Sequence, residues 1–197
     1  MKRIQAKIIG QEHAGVLSDA DLVYLTNEAT TLEEKVTELF DALRLPVYQY
    51  LVAVFGNAAE AEDLTQDVFL SLYKALRGGQ TIRNVRFWIF RVAQNAALNR
   101  RKHNQYIAPL DADSWAEIER LLPSIGLNPE QNALYREKFE RLYEGLKRLS
   151  MQERQAIYLR SEGFKYREIG ELMNVKITTV EEFLQRGIRK LSEQAGD

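Results

Sequence analysis

Apolar residues in this chain recur at three- and four-residue intervals, and no long stretch alternates apolar with polar, so the pattern predicts helices throughout. Ser18 predicts the cap of a short helix from Asp19 to about Thr26, with Leu22 and Leu25 apolar. Thr31 to Glu34 reads as a capping box, and Val36, Leu39, Phe40 and Leu43 follow on one helical side. Pro46 predicts a restart, after which Val47, Tyr50, Leu51 and Val54 form a second set ending at Gly56-Asn57. From Ala58 to Leu76, an apolar stripe runs through Leu64, Val68, Leu72 and Ala75/Leu76 until Gly78-Gly79 breaks the helix. A loop from Arg77 to Asn84 leads to the helix Val85–Lys102. There Ile89, Ala93, Ala96 and Ala97 make a side small enough for close helix approach, and Trp88, Arg91, Asn95, Asn99 and Lys102 line another stripe.

The pattern is interrupted after His103. Three of the four prolines fall between there and Pro129, in an acidic stretch that reads as a linker holding one short helix, Trp115 to Leu122. Helical spacing then resumes. Leu134, Phe139, Leu142, Leu146 and Leu149 predict one long helix, and Ser150 to Glu153 is a capping box for the next, in which Ala156, Ile157 and Leu159 are apolar. Gly163 ends it. Tyr166 to Met173 follows, with Tyr166, Ile169, Gly170 and Met173 inward, then a tight connection, Asn174-Val175-Lys176. Thr178 to Glu181 reads as a further capping box, opening a last helix to about Leu191 with Val180, Leu184, Gly187, Ile188 and Leu191 buried. Two short helices joined by a tight turn, the second with a polar outer face, form a helix-turn-helix. The fold class is therefore all-α, with two small helical domains. The expected division is an N-terminal extension over 1–16, a first domain over 17–103, a linker over 104–129 and a second domain over 130–197.

Charge alters this picture at one place. The chain has 197 residues and a formal net charge of −1, yet Arg83 to Lys102 holds Arg83, Arg86, Arg91, Arg100, Arg101 and Lys102 and no acidic residue. A single basic block in a near-neutral protein points to one anionic partner at one site. With an aromatic and two amides on the same stripe, nucleic acid fits: the ring stacks, the cations meet phosphate and the amides reach base edges. Trp88 alone is read first as core. On the last helix Gln185, Arg186 and Arg189 project outward with Glu182 among them, within reach of a major groove. The acidic start of Ala58–Leu76 suits a helix dipole, or a docking face for a basic protein.

Other chemistry is thinly represented. The chain has no cysteine, and His13 and His103 have no ligand-like spacing, so thiol catalysis and thiolate metal sites are excluded and no cofactor is expected. No nucleophile constellation or glycine-rich phosphate loop is present. No apolar run is long enough to span a membrane or to act as a secretory signal, so a cytoplasmic protein without membrane insertion is expected.

The blocks AEDLTQDVFLSLYKAL, FWIFRVAQNAALNRRK and LKRLSMQERQAIYLRSEGFKYREIGELMNVKITTVEEFLQRGIRKL resemble, in order, a bacterial RNA polymerase sigma factor of the extracytoplasmic-function group of the sigma-70 family. LSDADLVYLTNEATTLEEKVTELFDALRLPVYQYL resembles the group's entry helices, so the likeness covers residues 17 to 193. The resemblance implies a region 2-like and a region 4-like domain and a dissociable specificity subunit with no catalytic centre of its own. It implies that Asp63, Gln66, Asp67 and Lys74 dock on the clamp helices of core RNA polymerase. Arg83, Arg86, Trp88, Arg91 and Asn95, with Asn99, Arg100, Arg101 and Lys102 beyond them, would capture and melt the minus-ten element. Lys165, Arg167, Thr178, Thr179, Gln185, Arg186 and Arg189 would serve the minus-thirty-five element, with the second domain seated on the polymerase flap. An anti-sigma protein is a further expected partner. The last helix departs from the group, whose recognition helix commonly reads T-V-K-S-R-L: here Thr179 to Leu184 reads T-V-E-E-F-L, so Glu181 and Phe183 stand at two commonly basic positions, and Glu182 is placed to pair with Arg186 or accept from a cytosine amine. The alternative reading is a helix-turn-helix regulator that binds DNA without polymerase; it leaves the first domain unexplained. A helical scaffold would show no salt-dependent DNA binding.

Overall fold

The computed structural model describes residues 19, 20, 22, 31–55, 57–104, 137 and 140–195, and the regular structure among them is helical. The elements are α1 (Leu32–Phe55), α2 (Ala58–Arg77), α3 (Val85–Asn104), α4 (Met151–Ser161), α5 (Tyr166–Met173) and α6 (Ile177–Ala195), with residues 140–147 also helical before α4. Asp19, Ala20 and Leu22 are helical, as the spacing predicts; Ser18, the linker with its Trp115–Leu122 helix, Leu134 and Phe139 lie outside the described residues.

The start of α1 forms as its sequence dictates. The backbone N–H of Glu34 donates to Thr31 Oγ1 and that of Thr31 to Glu34 Oε2, both at 3.1 Å, satisfying two otherwise orphaned donors. The expected restart at Pro46 does not occur: α1 runs through it as one helix of 24 residues. An interior proline costs about 3 kcal/mol. Here the residues on both sides, Leu39 and Leu43 before it and Val47, Tyr48, Tyr50, Leu51, Val52 and Val54 after it, enter the same core, and that burial holds the helix together. Removing one such side chain, Leu43→Ala for example, costs about 2–5 kcal/mol.

Helix α2 packs its Ala61, Leu64, Val68, Phe69 and Leu72 against α1 and ends at Gly78, with Gly79 in the left-handed region at φ 80°. Asn84 then caps α3: its Oδ1 accepts from Phe87 N at 2.8 Å, while its Nδ2 donates to Asp19 Oδ2 at 2.9 Å. One side chain thus starts α3 and ties it to the first helical residues.

In the C-terminal part, the capping box Ser150–Glu153 opens α4. The turn between α5 and α6 lacks a glycine; Asn174 supplies the left-handed backbone at φ 54°, a conformation asparagine tolerates better than most residues. Val175 N then closes onto Gly170 O at 2.9 Å. Helix α6 opens at Ile177, so Thr178 lies inside it and the expected Thr178–Glu181 cap is absent; Lys176 O instead accepts from Thr179 N and Val180 N. Gly187 lies where α6 meets α4, and a Cβ there would sit 2.5 Å from Ile157 Cδ1.

Three apolar residues expected inside are exposed. In α6 the inward side takes Val180, Leu184, Gly187 and Leu191; Ile188, one step round from Gly187, stands at the rim and is 58% exposed. Tyr166, at the first position of α5, lies over the Arg160 guanidinium rather than in the core. Leu142 faces out because Tyr143 and Leu146 take the inward side of residues 140–147.

The two sets of helices pack on one another. Helix α4 lies against α1, and α5 against α3, so a continuous apolar cluster runs from Leu22 to Leu184. Polar side chains cross this seam. Gln155 Nε2 donates to Tyr50 OH at 3.0 Å, and Tyr50 OH donates to Gln94 Oε1 at 2.6 Å; all three residues are buried. Tyr158 OH donates to Pro46 O at 2.9 Å, and Arg154 Nε to Ala53 O at 3.1 Å. The Phe90 and Phe164 rings meet edge to face at 5.0 Å.

Candidate nucleic-acid interface

The orientation of α3 follows from its small side. Ile89, Phe90, Ala93 and Ala97 are fully buried against neighbouring helices, which fixes the rotation of the helix about its axis. Arg91, Asn95 and Asn99 are consequently exposed on the opposite side, at intervals of four residues, as the sequence predicts. Trp88, one turn before Arg91, is half-buried and packs on the core cluster while keeping part of its ring in solvent. The Arg91 guanidinium lies 6.0 Å from the Phe87 ring centroid. Arg83 is exposed in the loop before the helix. The backbone of Arg101 and Lys102 continues α3; their side chains lie outside what the structure describes.

Two arginines of the basic block are engaged elsewhere. Arg100 pairs with Glu60 of α2 at 2.8 Å, both about one-third exposed. Arg86 is buried. Its Nη2 lies 3.1 Å from Glu162 Oε2 and also donates to the Glu162 carbonyl, and its guanidinium stacks 4.7 Å from the Phe164 ring centroid. Nothing in the local spacing signals this, because Glu162 lies 76 residues away in sequence.

The outer face of α6 is built differently. Gln185, Arg186 and Arg189 are exposed together, with Thr178 exposed and Thr179 half-buried at the start of the helix. Arg186 Nε donates to the Glu182 carbonyl at 3.3 Å, its guanidinium lies 4.0 Å from the Glu182 and Glu153 carboxylates, and it stacks on the Phe183 ring. Lys190, which the sequence pattern does not single out, pairs with Glu153 at 2.7 Å. Burial pushes the Glu153 pKa up, but the Lys190 ammonium and the Ser150 backbone and hydroxyl outweigh it and hold the carboxyl below its ordinary value. It therefore stays ionised as a buried anchor for two cations. Lys165 and Arg167 are exposed beside this face, Arg167 loosely paired with Glu171 at 3.8 Å.

On α2, Asp63, Gln66, Asp67 and Lys74 are all exposed. Leu70, four residues after Gln66, is 50% exposed among them and was hidden in the sequence by the apolar stripe beside it. The face thus combines acidic groups with one apolar contact, a composition suited to protein rather than to nucleic acid.

Comparison with known proteins gives these faces a common setting. Residues 39–106 match the family model for Sigma-70 region 2, and residues 139–191 that for Sigma-70, region 4. The chain is 26% identical over 171 residues to the ECF RNA polymerase sigma factor SigW of Bacillus subtilis, covering 84% of this chain and 91% of that protein. It is 28% identical over 170 residues to the RNA polymerase sigma factor CarQ of Myxococcus xanthus, with the same coverage. Among solved structures, its fold resembles that of the sigma factor RpoE in complex with the anti-sigma factor NepR from Bartonella quintana. The TM-score is 0.56 at 18% identity, over 81% of this chain and 96% of that one. It also resembles CnrH in complex with the cytosolic domain of CnrY, with a TM-score of 0.56 at 18% identity, over 90% of this chain and 97% of that one.

Proposed function

The chain belongs to the extracytoplasmic-function group of the sigma-70 family, and from that premise we propose how its surfaces divide the work of a sigma factor. It binds core RNA polymerase and directs it to promoters as a transcription initiation factor. The acidic face of α2, with Asp63, Gln66, Asp67 and Lys74 around Leu70, docks on the polymerase clamp. The α3 face, Arg91, Asn95 and Asn99 with Trp88 and the nearby Arg83, holds the opened minus-ten strand. Arg100, Arg101 and Lys102, at the end of the same helix, add phosphate contacts, Arg100 on release from its Glu60 pair. Unstacking a base costs a few kcal/mol, and base–aromatic stacking worth about 1–3 kcal/mol offsets it. The α5–α6 helix-turn-helix reads the minus-thirty-five element through Gln185, Arg186 and Arg189, with Lys165, Arg167, Thr178 and Thr179 positioning the phosphates. An anti-sigma protein is a fitting inhibitory partner, and the site of action is the cytoplasm, where polymerase works. No helix among the described residues is long and apolar enough to cross a membrane.

The observation that carries this division is the acid-free outward face of α3, set by buried Ile89, Phe90, Ala93 and Ala97. Run-off transcription with purified core polymerase tests the function: promoter-dependent initiation is expected only when the factor is added. Tight, specific duplex binding by the free protein without polymerase would favour the regulator reading instead.

A further inference from the structure

Helix α3 carries the basic face, yet its first turn holds no acidic residue. The free N–H groups of that turn and the positive end of the helix dipole both call for an acceptor. A carboxylate within the turn would supply one, but it would repel the phosphates that the face is to hold. The structure meets the need from outside the helix. Asn84 Oδ1 accepts from Phe87 N at 2.8 Å, and the Asn84 carbonyl accepts from Trp88 N at 3.0 Å. Asn84 Nδ2 donates to Asp19 Oδ2 at 2.9 Å, across 65 residues of sequence. Both ends of the amide are thereby assigned: an N–H faces its oxygen, and a carboxylate, which only accepts, faces its nitrogen. The carboxylate polarises the amide and strengthens its oxygen as the acceptor for the helix.

The loop before α3 depends on the same bond. At its entry the N–H groups of Gly78, Gly79 and Gln80 donate back to the carbonyls of Lys74, Leu76 and Ala75. Thr81, Ile82 and Arg83 make no hydrogen bond among the described residues. Ile82 packs on the core cluster and Asn84 is held by Asp19, so the exposed Arg83 sits between two anchored neighbours. Beyond the loop, Phe87 and Trp88 are both held by Asn84 at their backbone, and the Arg91 guanidinium lies over the Phe87 ring. The placement of Arg83, Trp88 and Arg91 thus runs through one amide.

Resting on the sigma-factor reading, we propose that Asp19 is a positioning residue for minus-ten capture: through the Asn84 amide it fixes the start of α3, and with it Arg83, Trp88 and Arg91. It does so without touching DNA or polymerase, and it keeps its charge off the helix that meets the strand. The Asp19–Asn84 bond is exposed and contributes little to overall stability. Its effect lies in geometry, because binding side chains must be held by their neighbours to within about 0.5 Å of the productive position.

The test uses the full chain with core polymerase and four variants. Asp19→Ala leaves the Asn84 nitrogen unheld. Asn84→Ser keeps an oxygen to cap Phe87 N but removes the donor to Asp19. The third variant combines these two, and Asp19→Asn keeps an acceptor at position 19. Opening of the minus-ten element is read by permanganate reactivity of unpaired thymines at saturating factor. Asp19→Ala and Asn84→Ser are each expected to slow opening about three- to fivefold, and the pair to lose no more than either alone, since both cut one bond. Asp19→Asn is expected to stay within about twofold of the unaltered factor. Core affinity and the helical melting curve are expected to be unchanged in all four. Full-rate opening by Asp19→Ala overturns the proposal, as do additive losses in the double variant. A parallel fall in core affinity and opening also overturns it, because it marks a merely structural role. Failure of the unaltered factor itself to open the promoter removes the sigma-factor reading, and the proposal with it.

Discussion

The outward faces of α3 and α6 carry similar side chains in opposite electrostatic settings. On α3 the exposed arginine, Arg91, has no carboxylate within ion-pair distance among the described residues, and the amides beside it stand in solvent. On α6 the cations are tethered: Arg186 leans on Glu182 and Glu153, and Lys190 is bound to Glu153. A free cation gives its full charge to a phosphate or base, whereas a tethered one must share it but loses less freedom on binding. The first arrangement favours strength of capture and the second favours register. Under the proposed division of labour, in which one helix holds an opened strand and the other reads duplex, both arrangements have a use.

The largest expected effect tests the strength side of this contrast. Arg91→Ala combined with Asn95→Ala weakens the open promoter complex by about 100-fold, corresponding to roughly 2.7 kcal/mol for two lost contacts of about 1–3 kcal/mol each. Affinity for core polymerase is unchanged. Filter binding of holoenzyme to a promoter fragment and a separate core-binding titration provide the two readings. Arg186→Ala with Arg189→Ala is expected to cost about tenfold in the same assay; an equal or larger loss would reverse the ranking of the two faces.

Next in size is the anchor beneath α6. Glu153→Ala strands Lys190, unties Arg186 and removes half of the Ser150 box, costing about 2 kcal/mol and lowering the melting temperature by about 4–8 °C. The sign with pH follows from the lowered pKa of Glu153. A carboxylate whose folded value is depressed contributes fully above its unfolded value, about 4.3, and loses that contribution as pH falls from there through the folded value. Calorimetry of the two proteins is therefore expected to show a constant gap from neutral pH to about 5 that narrows in stronger acid. A gap that widens in acid would contradict the role of anchor.

The smallest effect concerns Glu182. Its exposed pairing with Arg186 is worth about 0.3 kcal/mol, so Glu182→Gln changes average promoter affinity less than about twofold. Binding measured across single-base variants of the minus-thirty-five element shows whether it does more. Loss of preference at one cytosine would make Glu182 a reader of sequence and bring α6 closer to the role of α3.

Features with local causes were legible in the sequence. The helical period placed α2 and α3 and put Arg91, Asn95 and Asn99 outside, because each helix buries a complete stripe of its own. The boxes at Thr31–Glu34 and Ser150–Glu153 formed because each lies within one turn. Features set at a distance were not legible. Helix α1 stays continuous at Pro46 because helices from elsewhere in the chain cover both halves. Arg86 reads as one more cation until Glu162 arrives from 76 residues away, and Gln94 and Gln155 read as ordinary polar positions until they meet in the seam. At the start of α6 the local signal misled: Thr178 has the right neighbours for a cap, but the turn through Asn174 and Val175 brings the helix in one residue earlier.

Gly187 has a consequence for how the chain reads sequence. With only a hydrogen atom for a side chain, it brings α6 close onto Ile157, and a Cβ there would meet the Ile157 Cδ1 methyl at 2.5 Å, so that side chain would have to turn aside. A helix seated that close behaves like a screw turned near its stop, its angular phase set by the side chains of Ile157 and Glu153 beneath it. Gln185 and Arg189, two residues to either side of Gly187, point away from the stop at a set angle. Under the proposed function, a larger residue at 187 that is not absorbed by movement of the Ile157 side chain would act on the promoter without touching it, by turning the outward row of α6.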